Sequence, residues 1–162
     1  MEIQNVSTLY ELKTIEQFVA DIWRECYAHI LQEAQIAYML DRFLRAEFMF
    51  EQVQKKSAAY YVCTIEDIPV AFFATQFAKN DLRIDKLYVT KEYRNKGITK
   101  TILAFLKTSR EDIHSFSLMV NKYNQPAIAA YQKLGFQIVD SLVTDIGNNY
   151  IMDDYKMELR RV

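Results

Sequence analysis

The stretch Leu87–Lys100, LYVTKEYRNKGITK, decides how the rest of the chain is read. Leu87, Tyr88 and Val89 close a run of strand formers, Leu82–Val89 (LRIDKLYV). Ile98 opens a helical pattern that continues through Ile102, Leu103, Phe105 and Leu106. Between them lies a short loop with a single glycine, Gly97. The first turn of a helix leaves several backbone N–H groups unpaired, and the helix dipole adds partial positive charge there. Together they suit phosphate or pyrophosphate, and a glycine lets a ligand approach the backbone without meeting a Cβ. Across residues 91–100, Lys91, Arg94, Lys96 and Lys100 stand against Glu92 alone, four bases less one acid, in a chain whose net charge is −1. The same features describe an ordinary solvated turn between a strand and a helix, and this segment by itself leaves both readings open.

Working outward toward the N-terminus, the period is two. Ala58–Ile65 and Val70–Ala78 precede Leu82–Val89, with turn residues at Glu66-Asp67-Ile68-Pro69 and Asn80-Asp81. Three such runs with short connections predict an antiparallel meander. Val70–Ala78 (VAFFATQFA) is apolar on both faces and reads as a central strand. In the third run Asp85 alternates in phase with Leu87 and Val89, which predicts one shared face. Further upstream the period is helical. Leu9, Leu12, Ile15, Phe18, Val19, Ile22, Trp23, Cys26, Tyr27, Ile30 and Leu31 trace one stripe, capped by Ser7 or Thr8 with Glu11 in the first turn. Ile36–Leu44 and Phe48–Lys56 continue the helical character.

Toward the C-terminus, Phe116–Val120 reads as a strand. Gln125–Leu134 reads as a helix, with Asn124 as N-cap, Pro126 in the first turn and Gly135 just past the end. Phe136–Ile146 and Tyr150–Leu159 form a hairpin about Gly147-Asn148-Asn149. The order is strand, helices, three strands, helix, strand, helix, two strands. That is a mixed α+β sheet in one domain, residues 1–162, without repeats or linkers.

Composition excludes several classes. Three glycines in 162 residues, against about eleven expected at average usage, rule out collagen-like and linker-rich chains. An apolar fraction of 51% with 25% charged residues rules out intrinsic disorder. The balance of 20 basic and 21 acidic residues offers no steering toward nucleic acid or an anionic membrane. No run approaches the ~20 apolar residues of a membrane span. Cys26 and Cys63 are isolated, and with only His29 and His114 no metal cluster is expected. The expected setting is cytoplasmic, with both thiols reduced.

The second informative segment is Asn121–Phe136, NKYNQPAIAAYQKLGF. Alone it reads first as a capped amphipathic helix with Tyr131 in the core. Beside the first segment, some 30 residues upstream, it resembles the GNAT superfamily of acyl-CoA-dependent N-acyltransferases. That family's acetyl-CoA loop, Arg/Gln-x-x-Gly-x-Gly/Ala, is here Arg94-Asn95-Lys96-Gly97-Ile98-Thr99. Its second signature, Asn-x-x-Ala-x-x-x-Tyr-x-x-x-Gly-Phe, is met at Asn124, Ala127, Tyr131, Gly135 and Phe136. The departure is Thr99, where the family has glycine or alanine. A β-branched side chain crowds that turn, or lends its hydroxyl to a phosphate oxygen.

The resemblance implies a central, mostly antiparallel sheet of about seven strands flanked by about four helices, with a V-shaped splay between the fourth and fifth strands. It implies acetyl-CoA as co-substrate and no metal. The backbone of Leu87, Tyr88 and Val89 would pair with the pantetheine arm. The N–H groups of Asn95, Lys96, Gly97, Ile98, Thr99 and Lys100, with Arg94, would cradle the pyrophosphate. Asn121, Asn124 and Ala127 would contact the pantetheine or order the site. Tyr131 would protonate the leaving thiolate, the Val89 N–H would serve the oxyanion, and Asp85 is the candidate base; its pairing with Arg83 or Lys133 is the alternative. Trp23, Tyr27, His29 and Tyr38 are candidates for the acceptor wall, and Asp153-Asp154 for attracting a cationic amine, against core or surface roles for each. The tail from Ile146 to Tyr155 looks like that of members acting on di- and polyamines.

The implied activity is direct acetyl transfer to a primary amine, with no cysteine placed as a nucleophile. A small amine or polyamine is expected as acceptor, with a protein N-terminus or lysine next. A non-catalytic acyl-CoA sensor is the alternative from another class. A homodimer through the tail strands is a further expectation.

Overall fold

The computed structural model describes residues 1–161. Its strands are β1 (Glu2–Val6), β2 (Ala59–Ile65), β3 (Ile68–Ala78), β4 (Asp81–Val89), β5 (Ser115–Asn121), β6 (Gln137–Gly147) and β7 (Tyr150–Arg160). They form one sheet in the order β1-β2-β3-β4-β5-β7-β6. The helices are α1 (Leu9–Tyr27), α2 (Glu33–Phe43), α3 (Ala46–Gln54), α4 (Ile98–Ser109) and α5 (Gln125–Lys133). The α+β architecture is as the sequence predicts. The described residues hold five helices rather than about four, because the helical run is interrupted at Leu44–Arg45 between α2 and α3. None of the described helices is long and apolar enough to cross a membrane.

The sheet separates two cores. Phe72 and Ala74 of β3 pack with Leu12, Val19 and Trp23 of α1 and with Met49 of α3. Ala71 and Phe73, one residue out of phase, pack with Ile98, Ile102 and Leu106 of α4 and with Ile128 of α5. Helices on both faces explain why the middle of β3, Val70–Ala74, is apolar on both faces. Phe72 and Phe73 are fully buried, and truncating either to alanine is of the order of 3–5 kcal/mol.

Local chemistry sets the ends of these elements. At α1 the Thr8 Oγ1 accepts from the Glu11 N–H at 3.1 Å, while the Glu11 carboxylate accepts from the Thr8 N–H at 3.2 Å, a reciprocal cap. The α1 helix stops at Tyr27, short of the apolar stripe. Ile30 and Leu31 follow in a turn bonded to the Tyr27 carbonyl, and both still pack on the core. Asn148 and Asn149 take left-handed φ of 54° and 63° and close the β6–β7 hairpin, as asparagine tolerates.

The strand pairings carry the feature that matters most. Strands β1 to β4 are an antiparallel meander, and β5-β7-β6 are antiparallel as well. The two groups meet only through β4 and β5, which run parallel. That pairing spans Asp81↔Ser115 to Ile84↔Leu118 and then ends. Beyond it β4 stays bonded to β3 as far as Val89, and β5 to β7 as far as Asn121. The strands part as a V, open at their C-terminal ends. At the closed end the Ser115 and Ser117 hydroxyls donate to the two Asp81 carboxylate oxygens at 2.7 and 2.5 Å.

Gly147 is a test of the hairpin. Its φ is +91°, and an added Cβ would lie 2.5 Å from the Tyr38 hydroxyl. That hydroxyl donates to the Ile146 carbonyl at 2.8 Å and ties α2 to the hairpin. Gly147→Ala is expected to lose about 1–3 kcal/mol of stability in denaturant titration. In a Tyr38→Phe background the loss should shrink toward the backbone share of about 1 kcal/mol. Equal losses in both backgrounds would count against the steric account.

Candidate functional site

The open end of the V is built by β4, the loop that follows it, and α5. From Asp85 to Val89 the edge of β4 that faces β5 has no strand partner. Such an edge is a template for an extended ligand carrying amide groups. After Val89 the chain is clamped in place. The Thr90 N–H donates to the Val70 carbonyl, and the Lys91 N–H donates to the Glu25 carboxylate of α1 at 2.9 Å. A short 3-10 turn over Lys91–Tyr93 follows.

Arg94 turns back on the strand. Its Nε donates to the Val89 carbonyl at 3.0 Å, and one Nη donates to the Cys26 Sγ at 3.4 Å. The side chain expected to lie beside a pyrophosphate therefore also orients the Val89 peptide. Asn95 and Gly97 both have positive φ, 60° and 80°, and they curl the loop into α4. Gly97 is the N-cap of α4, and no side chain caps it. An added Cβ at Gly97 would meet nothing within 4 Å, so the space above the helix end is open. No acid occupies the first turn, Lys100 is exposed, and the Lys96 ammonium lies 5.1 Å from the centre of the Tyr93 ring. The N–H groups of Ile98, Thr99 and Lys100 thus point to an open, basic surface with a helix dipole behind them.

A narrow apolar crevice, without room for a water molecule, lies between β4, α4 and α5. Leu87 of β4, Thr99 of α4, and Tyr131 and Leu134 of α5 line it. Thr99 therefore belongs to the crevice wall, and the expected crowding falls there. Tyr131 leans edge-on against Phe136, with ring centres 5.8 Å apart. Burial pushes its phenol well above the ordinary tyrosine range, so it is a protonated donor at neutral pH. Asn121 and Asn124 shape the turn between β5 and α5. The Asn121 Oδ1 accepts from the Tyr123 N–H at 2.9 Å, and the Asn124 Oδ1 caps α5 by accepting from the Ala127 N–H.

The opposite face of the split belongs to α1. Trp23 and Tyr27 lie 4.5 Å apart, and both stand edge-on or tilted to Tyr88 of β4 at 5.1 and 6.0 Å. The Tyr88 side chain thus joins two of the candidates for the acceptor wall, a position that strand alternation opposite Leu87 and Val89 already contained. Leu87 and Val89 pack on the α4 side and Tyr88 on the α1 side. His29 is exposed in the turn after α1, and Tyr38 is engaged with Ile146. Neither is brought to the cluster.

Asp85 departs from the expected face. The β3–β4 register slips between Ala74↔Lys86 and Thr75↔Ile84, which leaves Asp85 as the extra residue of a bulge. A bulge breaks the alternation of side chains. Asp85 does not share the face of Leu87 and Val89. Its carboxylate pairs with the Lys86 ammonium at 2.5 Å and with Arg83 at 3.6 Å, while Lys133 is not a partner. Burial raises its proton affinity, but the two cations outweigh it and hold the carboxyl below its ordinary range. On the same α1 side lies a second carboxylate, Asp154 of β7, paired across the ladder with Asn121. Asp153 is tied to Lys122 at 2.6 Å.

Comparison with known proteins bears on the family and the fold. A family model described as acetyltransferase (GNAT) domain matches residues 27–159. A spermidine N(1)-acetyltransferase of Thermoplasma acidophilum is 24% identical over 159 residues, covering 94% of this chain and 96% of that protein. An N-alpha-acetyltransferase of Saccharolobus solfataricus is 29% identical over 110 residues, covering 59% of this chain and 66% of that protein. Among solved structures, the PaiA N-acetyltransferase of Thermoplasma acidophilum in complex with coenzyme A superposes with a TM-score of 0.80 at 21% identity, covering 99% of this chain and 100% of that one.

Cys26, beside Arg94, invites a reactivity test. Burial pushes its thiol up, and the nearby Arg94 only partly reverses this. Cys63, fully buried, is pushed up to about 12. A thiol without thiolate character is a poor nucleophile. In native protein at pH 7.5, Cys26 should react with an aromatic disulfide at least tenfold more slowly than free cysteine, and Cys63 only after unfolding. Rapid reaction of one thiol in the native state would contradict this and reopen a covalent route.

Proposed function

The chain belongs to the GNAT acetyltransferase family and is an N-acetyltransferase, and from that premise we propose that it transfers the acetyl group of acetyl-CoA directly to a small primary amine or polyamine. The observation that carries the reading is the parting of β4 and β5 directly beneath the open N-terminus of α4. The residues fit the co-substrate. The N–H groups around Gly97 suit its pyrophosphate, and the free edge from Leu87 to Val89 suits the amides of its arm. A bound thioester supplies an activated acyl carbon and a thiolate leaving group.

The protein's part follows from placement. The Val89 N–H lies on the unpaired segment where an oxyanion would form. Arg94, bonded to the Val89 carbonyl, fixes the neighbouring peptide. Tyr131, kept protonated by burial, holds a proton for the departing sulfur. The amine enters from the α1 side, past Trp23, Tyr27 and Tyr88. Asp85 is ionised, but its charge is taken up by Lys86 and Arg83. Low thiolate character at both cysteines supports direct attack over an acyl-enzyme.

The polyamine preference draws on the spermidine acetyltransferase relative, which aligns over nearly the whole chain. A peptide N-terminus is the second reading, drawn from the N-alpha-acetyltransferase relative. For a homodimer, the supporting feature is β6, a sheet edge that exposes Val139 and Val143.

The test is acetyl-CoA turnover over spermidine, 1,4-diaminobutane, butylamine and an N-terminal peptide. Wild type should acetylate the polyamines fastest. Tyr131→Phe should lower kcat about 100-fold or more, with coenzyme A affinity unchanged within about threefold. Full activity in Tyr131→Phe would remove the acid role. Coenzyme A binding without turnover on any amine would favour a sensor.

A further inference from the structure

Alternation along β7 sends its side chains to two different cores. Met152 packs among the α1–α3 residues, while Tyr155 and Met157 pack against the α4–α5 side. Asp154, two residues after Met152, therefore looks toward α1. It is 9% exposed, and its Oδ1 is buried without a hydrogen-bond partner among the described residues. Its cross-strand partner, Asn121, is the last residue of β5. That residue stands three past Leu118, where pairing with β4 has ended. Carried on past the bulge, the parallel register puts Asn121 and Asp154 level with Leu87 and Tyr88. The charge of Asp154 reaches the Tyr27 phenol, which stands against Tyr88.

An ionised carboxylate with an unpaired oxygen is costly to bury. Here its charge reaches the Tyr27 phenol, and its level on the sheet is one or two residues before Val89, whose N–H is assigned to the oxyanion. Its neighbour Asp153 is neutralised by Lys122, and Asp85 is neutralised by Lys86 and Arg83. Asp154 has no ion pair of its own among the described residues.

We propose that Asp154 receives the acceptor's ammonium group and takes its proton before attack, a role that rests on the acetyltransferase reading above. The step balances. The ammonium gives one proton to the Asp154 carboxylate and becomes a neutral amine. Its lone pair forms the C–N bond at the thioester carbon, and the C–S bond breaks. The leaving thiolate takes a proton from Tyr131, which regains one from the acetylated nitrogen. Asp154 returns its proton to water. Overall, one acetyl group moves and one proton is released.

The groups facing Asp154 set its titration. Tyr27 faces it from α1, Arg83 from β4, Lys122 from the end of β5 and Asp153 from β7, while β5 and β6 add the neutral Asn121 and Leu142. Burial, then Asp153, push its carboxyl up to about 6 against the pull of Arg83 and Lys122. It is ionised at neutral pH and close enough to it to exchange a proton readily. The sign for stability follows. A raised carboxyl favours the protonated folded state, so ionisation opposes folding increasingly from about pH 4 to pH 6 and fully above that.

The experiment compares Asp154→Asn with wild type, using spermidine and acetyl-CoA from pH 5 to 9. For wild type, kcat/KM should rise through an apparent pKa near 6 to a plateau. The variant should fall at least 100-fold at pH 7 and regain about tenfold per pH unit, because only solvent then supplies free amine. Its unfolding temperature should exceed that of wild type at pH 7.5 and match it at pH 4.5. Wild-type rate with the same acid limb in a folded, coenzyme A-binding Asp154→Asn would overturn the proposal. Should that variant fail to fold, wild-type kcat/KM that does not decline between pH 7 and 5 would overturn it. Failure of the acetyltransferase reading is a different result: wild type itself would acetylate nothing.

Discussion

Everything at the site depends on two parallel strands that pair for four residues and then separate. Each is held from its outer side, β4 by β3 and β5 by β7, so the inner edges part without loss of the sheet. Asp81, accepting from Ser115 and Ser117, pins the closed end. Trp23 and Tyr27, packed on Tyr88, support the open arm from the α1 side. A strand edge left unpaired in a half-buried place must find hydrogen bonds elsewhere. The free edge of Leu87–Val89 is thus a demand for a ligand with amide groups, and the neighbouring end of α4 is a demand for an anion.

The split also separates two chemistries. The α4–α5 side is apolar and narrow, walled by Leu87, Thr99 and Tyr131, with basic residues only at its mouth. The α1 side is aromatic, and Asp154, whose charge reaches Tyr27, is its unpaired carboxylate among the described residues. An anionic co-substrate and a cationic acceptor would meet from opposite faces, each drawn by the charge it finds. Arg94 links the two sides, bridging the Val89 carbonyl and Cys26.

Much of this is legible in the chain because local chemistry dictates it. The Gly97 loop, the Asn124 cap, the Gly147 hairpin and the two-sided strand at Phe72-Phe73 each follow from residue type and period. Asp85 did not, because alternation predicts its face only for an unbroken ladder. A bulge is a pairing property, set jointly by β3 and β4. Arg94 reads as a phosphate ligand from its charge, whereas its actual bonds depend on how α1 lies across the loop. Asp153-Asp154 reads either as a pair that attracts a cationic amine or as two solvated acids, without telling which of them is buried. The burial of Asp154 arises because β7 is inserted between β5 and β6, an order that sequence spacing does not reveal.

The central claim, that the parted strands and the α4 end together hold the co-substrate, is open to amide hydrogen exchange with and without coenzyme A. Binding should slow exchange at Asp85–Val89 and Asn95–Lys100 at least tenfold and leave the β1–β2 pair unchanged. Coenzyme A that binds tightly but leaves Asp85–Val89 unprotected, or protects another part of the sheet instead, would contradict the account.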